Sequence, residues 1–155
     1  MGQTYEPVRT VVGVISGRDS CYLDEIHFDY QARAIRFIGE INGRALSEER
    51  EDFIKYSLTF AGVMGFKMIE LDFISAPDEA SNSEINSQSI EVDEPLMGNQ
   101  PMSASFLRVN DSAWINEMKE KDTAAKVKEG HTHYILSTYD HQFEVVSLSY
   151  ELTIL

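Results

Sequence analysis

The sequence predicts an α+β fold, mainly antiparallel β, built as a sandwich or a strongly bent sheet with one main helix near 112–121. Three observations lead there. Between Tyr22 and Ile41 apolar and polar side chains alternate in two runs, with Ile26, Phe28 and Tyr30 in the first and Ile35, Phe37 and Ile41 in the second. A period of two marks a sheet with one face buried and one wetted, and the polar break Gln31-Ala32-Arg33 between the runs reads as a hairpin turn. The alternation returns in residues 53–60 and 66–74. Helical spacing is clearest after Asp111, where Trp114, Ile115 and Met118 share one face.

Taken in order, residues 8–15 are rich in β-branched side chains and predict a first strand. Residues 16–20 have turn composition. The hairpin of residues 22–41 follows, and Asn42-Gly43 ends it as a strong turn signal. Residues 47–52 are a charged, exposed link. Ile54, Tyr56, Leu58 and Phe60 line one face of the next strand, the glycines at 62 and 65 turn the chain, and Ile69, Leu71 and Phe73 alternate in a strand expected to pair with it. Order resumes at 106–109, Asp111 reads as the helix N-cap, and Trp114 is expected to be well buried. Gly130 is a stop signal. Residues 133–139 and 143–155 are the last two strands, with Asp140-His141 either a tight turn between them or part of a longer bent strand. The expected total is eight or nine strands.

At 155 residues the chain fits one domain, 1–155, and a 43% hydrophobic content is enough to bury a core. Its 26 acidic residues against 13 basic ones leave a formal charge of −13, a field that repels phosphate backbones and anionic lipid. Nucleic acid and membrane are therefore not the expected partners. A cationic partner is, because opposite fields speed encounter, although acidity also serves solubility by itself. Cys21 is the single cysteine, so no disulfide can close within the chain. With no secretion-signal layout at the N-terminus, a Glu6 where a myristoylation motif wants Ser or Thr, and no apolar run of membrane-spanning length, the expectation is a soluble cytoplasmic protein.

Residues 75–103 change character. They are rich in Ser, Asn, Pro and acids and contain no Lys or Arg. A loop this long in a compact domain tends to carry function. Asp78, Glu79, Glu84, Glu91, Asp93 and Glu94 carry its unpaired charge, and a cationic partner would relieve their mutual repulsion. These six are the expected partner-binding residues. Ile90–Val92 is a possible short strand within the loop, and Met97 and Met102 offer adaptable contacts.

Catalytic chemistry has weaker signals, and no catalytic residue, metal ligand or cofactor is assigned. His131 and His133 fall on one side of an extended chain, a spacing that begins a metal site but supplies no third ligand, so an exposed polar pair is the expectation. Cys21 and His27 are a conceivable nucleophile and base, but Asp19, Asp24 and Glu25 disfavour the thiolate and point to a structural cysteine. Asp140-His141 with Glu144 is a conceivable acid–base pair. Phosphate-cradling glycine loops, nucleophile elbows and paired-cysteine motifs do not occur.

The order of blocks LDEIHFDY, YSLTFAGVMGFKMIELDF, SFLRVNDSAWINEM and HYILSTYDHQFEVVSLSYEL resembles that of small bacterial β-rich proteins, some of them candidate immunity proteins of polymorphic toxin systems. The resemblance covers most of the chain in pattern and carries no catalytic residue across. It implies a protein that acts by binding, covering a basic toxin domain. The leading expectation is thus an acidic protein-binding module. A metal-dependent or hydrolytic enzyme using the histidines and an apolar-ligand carrier are the alternatives.

Overall fold

The computed structural model describes residues 2–15, 17, 20–43, 53–70, 104–124 and 126–155. Among them are nine strands, all paired antiparallel, and one helix. Strands β1 (Thr4–Pro7), β6 (Phe106–Asn110), β7 (Thr132–Ser137), β8 (His141–Ser147) and β5 (Gly65–Glu70) form one sheet in that order. Strands β2 (Cys21–Asp29), β3 (Ala34–Asn42), β4 (Phe53–Ala61) and β9 (Ser149–Ile154) form the other. The helix α1 (Ala113–Lys121) follows β6.

The sheets stack face to face, and aromatic rings show which strand faces which. Phe28 of β2 meets Phe66 of β5, Phe37 of β3 meets Phe143 of β8, Phe60 of β4 meets Tyr134 of β7, and Tyr150 of β9 meets Phe106 of β6. Edge-to-face and tilted rings fill the space between the layers, so most of these side chains are fully buried.

The hairpin β2–β3 forms as its period predicts, because Asp29 closes the turn by accepting the Ala32 N–H at 3.0 Å while Arg33 takes a positive φ of 52°. Its buried face is shorter than predicted. Ile35, Phe37 and Ile41 on β3 are buried, but Ile26 is half-buried, Phe28 is 52% exposed and Tyr30 is 92% exposed. β2 is an edge strand, paired on one side only. Alternation along a strand does not distinguish an edge from a centre.

Five further expectations are corrected. Residues 8–15 are not a strand: β1 lies earlier, and Thr10 and Gly13 exchange backbone hydrogen bonds of 2.9 Å around a tight turn. Thr10 Oγ1 takes the Val12 N–H, and Gly13 has a φ of +92°, so local polar bonding overrides the β-branched run. The strand after β4 does not pair with it, since β5 belongs to the other sheet and pairs with β8. Residues 143–155 are likewise two strands, broken at Leu148, with β8 and β9 in different sheets. The helix cap is Ser112, whose Oγ accepts the Ile115 N–H at 3.1 Å, while Asp111 before it has a φ of 54° and makes the turn into the helix. Trp114 is half-buried, with the Lys67 ammonium 4.1 Å above its ring.

The two crossings between sheets run side by side. Ala61 pairs with Ser149 and Gly65 with Val146, so residues 62–64 on one segment oppose 147–148 on the other. The extra residue acts as a bulge would, bending both segments from one layer to the other. Leu148 N–H donates to Ala61 O at 2.9 Å, and Met64 N–H to Val146 O at 2.8 Å.

Candidate functional site

Away from these crossings, the opposite end of the sandwich carries a cleft of about 380 Å³ between β2, the end of β5 and the β7–β8 turn. One wall is the first half of β2. Leu23 and Glu25 flank a bulge, and Gly39 lies opposite on β3, where an added Cβ would stand 1.9 Å from Tyr22 O. Glycine at 39 lets the Tyr22–Leu23 backbone fold closely over β3, and Tyr56 Oη holds it there by donating to Tyr22 O at 3.1 Å. The bulge thus aims Tyr22 at the turn of the opposite sheet. Its ring stacks on Tyr139 at 5.7 Å and meets Phe53 edge-on at 5.8 Å. Tyr139 N–H donates to Cys21 O at 2.8 Å, which ties the two walls together.

The lining mixes apolar surface with carboxylates. Tyr139 is 49% exposed and Met68 is 56% exposed. Asp24 and Glu25 come from β2, Asp140 from the turn, and His141 lies beside it, its ring stacked on Phe143 at 5.6 Å. Glu25 holds His27 at 3.3 Å. Among the described residues, neither Asp24 nor Asp140 has an ion pair. Exposed aromatic faces next to unneutralised carboxylates form a surface suited to a cation.

The acidic residues Asp78, Glu79, Glu84, Glu91, Asp93 and Glu94 lie outside the described residues, as do Ile90–Val92 and the link 47–52. The described chain nevertheless shows where their segments attach. Glu70, the last residue of β5, pairs with His141, and Ser105, just after the segment, takes the Ser137 N–H at 2.7 Å. Both anchor points flank the β7–β8 turn. Phe53, just after the link, is in ring contact with Tyr22.

A second constellation sits under α1. His133 is 3% exposed on β7, with Nε2 2.7 Å from Glu144 Oε1 on β8 and Nδ1 2.7 Å from Ser112 Oγ at the helix cap. The Trp114 ring lies edge-on to the imidazole at 5.3 Å. The bond with His133 holds the Glu144 carboxyl below its ordinary range, against the opposing effect of burial. The expected exposed histidine pair is therefore corrected. His131, just before β7, is buried too, with Nδ1 accepting the Lys128 N–H at 2.8 Å, while His133 lies on the central strand of its sheet with Trp114 of α1 against it. Glu144 joins His133 rather than the expected His141. His27 stays on the exposed edge. No group of three metal-ligating side chains occurs among the described residues.

Cys21 is fully buried, with Sγ 3.7 Å from Tyr56 Oη, and burial pushes its thiol upward despite hydrogen bonds from Tyr56 and Ser105. Burial raises the Tyr56 phenol as well, reinforced by Cys21. This is the setting of a structural cysteine.

Sequence reasoning weighed Asp24 and Glu25 apart from Asp140 and His141 and missed the cleft they share. Ser112 was passed over as well, although a serine directly before a helical run is an N-cap signal. No helix among the described residues is long and apolar enough to cross a membrane. Compared with known proteins, the chain matches no family model, no curated protein and no solved structure.

Proposed function

We propose that this chain is an acidic protein-binding module that takes up a basic protein partner, acting in the cytoplasm as an immunity protein that neutralises a basic toxin domain by covering it. The observation that supports this most is the cleft at one end of the sandwich, where exposed tyrosine and methionine surface meets Asp24 and Asp140, neither of which has an ion pair among the described residues. Interface centres favour aromatic and Met side chains. The formal charge of −13 adds long-range attraction for a basic surface. The acidic stretch Asp78 to Glu94, which lies in the chain between Glu70 and Ser105, is proposed to extend the contact. Co-expression with the product of the neighbouring gene tests the reading. The expected result is a stoichiometric complex that weakens as salt rises. A neighbouring product that is not basic and does not bind would remove the immunity role.

One observation favours a second reading. Ser112, His133 and Glu144 are the residue types of an acyl-transfer triad in hydrogen-bonded order, although the serine here meets Nδ1 and the carboxylate Nε2, the reverse of the usual arrangement. The same atoms also act as a fastening, since Ser112 Oγ takes the Ile115 N–H and is 5% exposed. Mass spectrometry after treatment with a fluorophosphonate separates the two. The binding-module reading expects an unmodified Ser112, and a labelled Ser112 would make the protein a hydrolase.

A further inference from the structure

We infer that the cleft between β2 and the β7–β8 turn receives one arginine side chain presented by the basic partner. This inference rests on the binding-module reading and names the group recognised there. At about 380 Å³ the cleft is near the small end of ligand sites, with room for one long side chain. Its apolar wall suits a methylene stem, with Leu23 and Ile26 half-buried on β2 and Met68 exposed on β5. Its charged groups suit the head. Asp24 faces it from β2 and Asp140 from the turn, and neither carboxylate is neutralised among the described residues. Glu25 contributes less because His27 already engages it.

Arginine rather than lysine follows from the rings. Tyr22 and Tyr139 stack with an interplanar angle of 26°, and Tyr139 keeps 49% of its surface exposed. A planar guanidinium can lie flat on such a face while its edge donates to carboxylates from two walls. An ammonium is compact, strongly hydrated and without a plane. The β2 bulge opposite Gly39 makes this possible, because it brings the Tyr22 ring onto Tyr139.

Calorimetric titration of the full chain at low salt with tetra-arginine and tetra-lysine peptides tests the inference. The arginine peptide is expected to bind several-fold more tightly. Asp24→Asn with Asp140→Asn should weaken its binding about tenfold, and Tyr139→Ala about threefold. Glu117→Gln with Glu120→Gln on α1 removes the same charge and should change binding less than about twofold, as screening predicts for distant exposed groups. All five positions are exposed, and thermal unfolding confirms that the variants fold. Equal binding of the two peptides, or equal weakening by the α1 pair and the cleft pair, overturns the arginine site and leaves a diffuse acidic binder. Failure of both peptides to bind overturns the binding-module reading as well.

Discussion

At the scale of single residues, His133 has the most consequence for stability. A histidine within a sheet beneath a helix must have its ring nitrogens satisfied, because an orphaned buried polar atom costs about 1–3 kcal/mol. Ser112 and Glu144 satisfy both, and they couple the helix cap to two strands. Ser112→Ala removes a cap and orphans Nδ1, so it should destabilise the fold by about 1–3 kcal/mol in urea unfolding. Glu144 gives a pH signature. Its folded carboxyl is held below the ordinary 4.5, chiefly by the bond to His133, so the unfolded chain takes up its proton first as the pH falls. The stability it contributes is full above that ordinary value and disappears as the pH drops through the folded one. Urea midpoints measured from pH 6 to pH 3 should therefore fall more steeply for the wild type than for Glu144→Gln. Cys21 gives a kinetic check, since its buried thiol should react with a thiol reagent only at the rate of opening. Rapid native labelling would contradict the packing around it.

At the scale of elements, the bulge and the crossings decide where surfaces point. Gly39 admits the β2 backbone where any Cβ would collide with it, so Gly39→Ala should cost about 1–3 kcal/mol by overpacking. It should also move the Tyr22 and Tyr139 resonances, which ties stability to the shape of the cleft. Gly62 has a φ of +67°, and a Cβ there would stand 2.7 Å from the Leu148 side chain. Gly62→Ala should lower the thermal midpoint through both effects while leaving peptide binding at the far end unchanged. A loss of binding in folded Gly62→Ala would show that the two ends are coupled. The glycines at 62 and 65 do mark a turn, but turn composition does not say whether the next strand returns alongside or crosses to another layer. That choice is made by Val145 and Phe143, far along the chain, against which Phe66 and Met68 register.

At the scale of the whole molecule, charge acts in two opposing directions. A formal charge of −13 repels itself in the compact state, so added salt should raise the thermal midpoint of the free protein. The same salt should weaken a complex with a basic partner. Opposite slopes for stability and binding, measured on one preparation, are the expected outcome, and a complex indifferent to salt would show that apolar contacts dominate it. The sequence by itself determined the antiparallel β class, the helix after Asn110, the β2–β3 hairpin and the net negative charge of the chain. These follow from side-chain period, turn chemistry and composition, which act between near neighbours or add up over the chain. Only the tertiary structure decided that β4 and β5 part, that Phe28 and Tyr30 stay wet on an edge, and that Tyr22 meets Tyr139. It likewise brought Ser112, His133 and Glu144 together across separations of 21 and 11 residues. Each of these depends on which strands find each other and in what register, a choice set by burial summed over distant segments that no local pattern encodes.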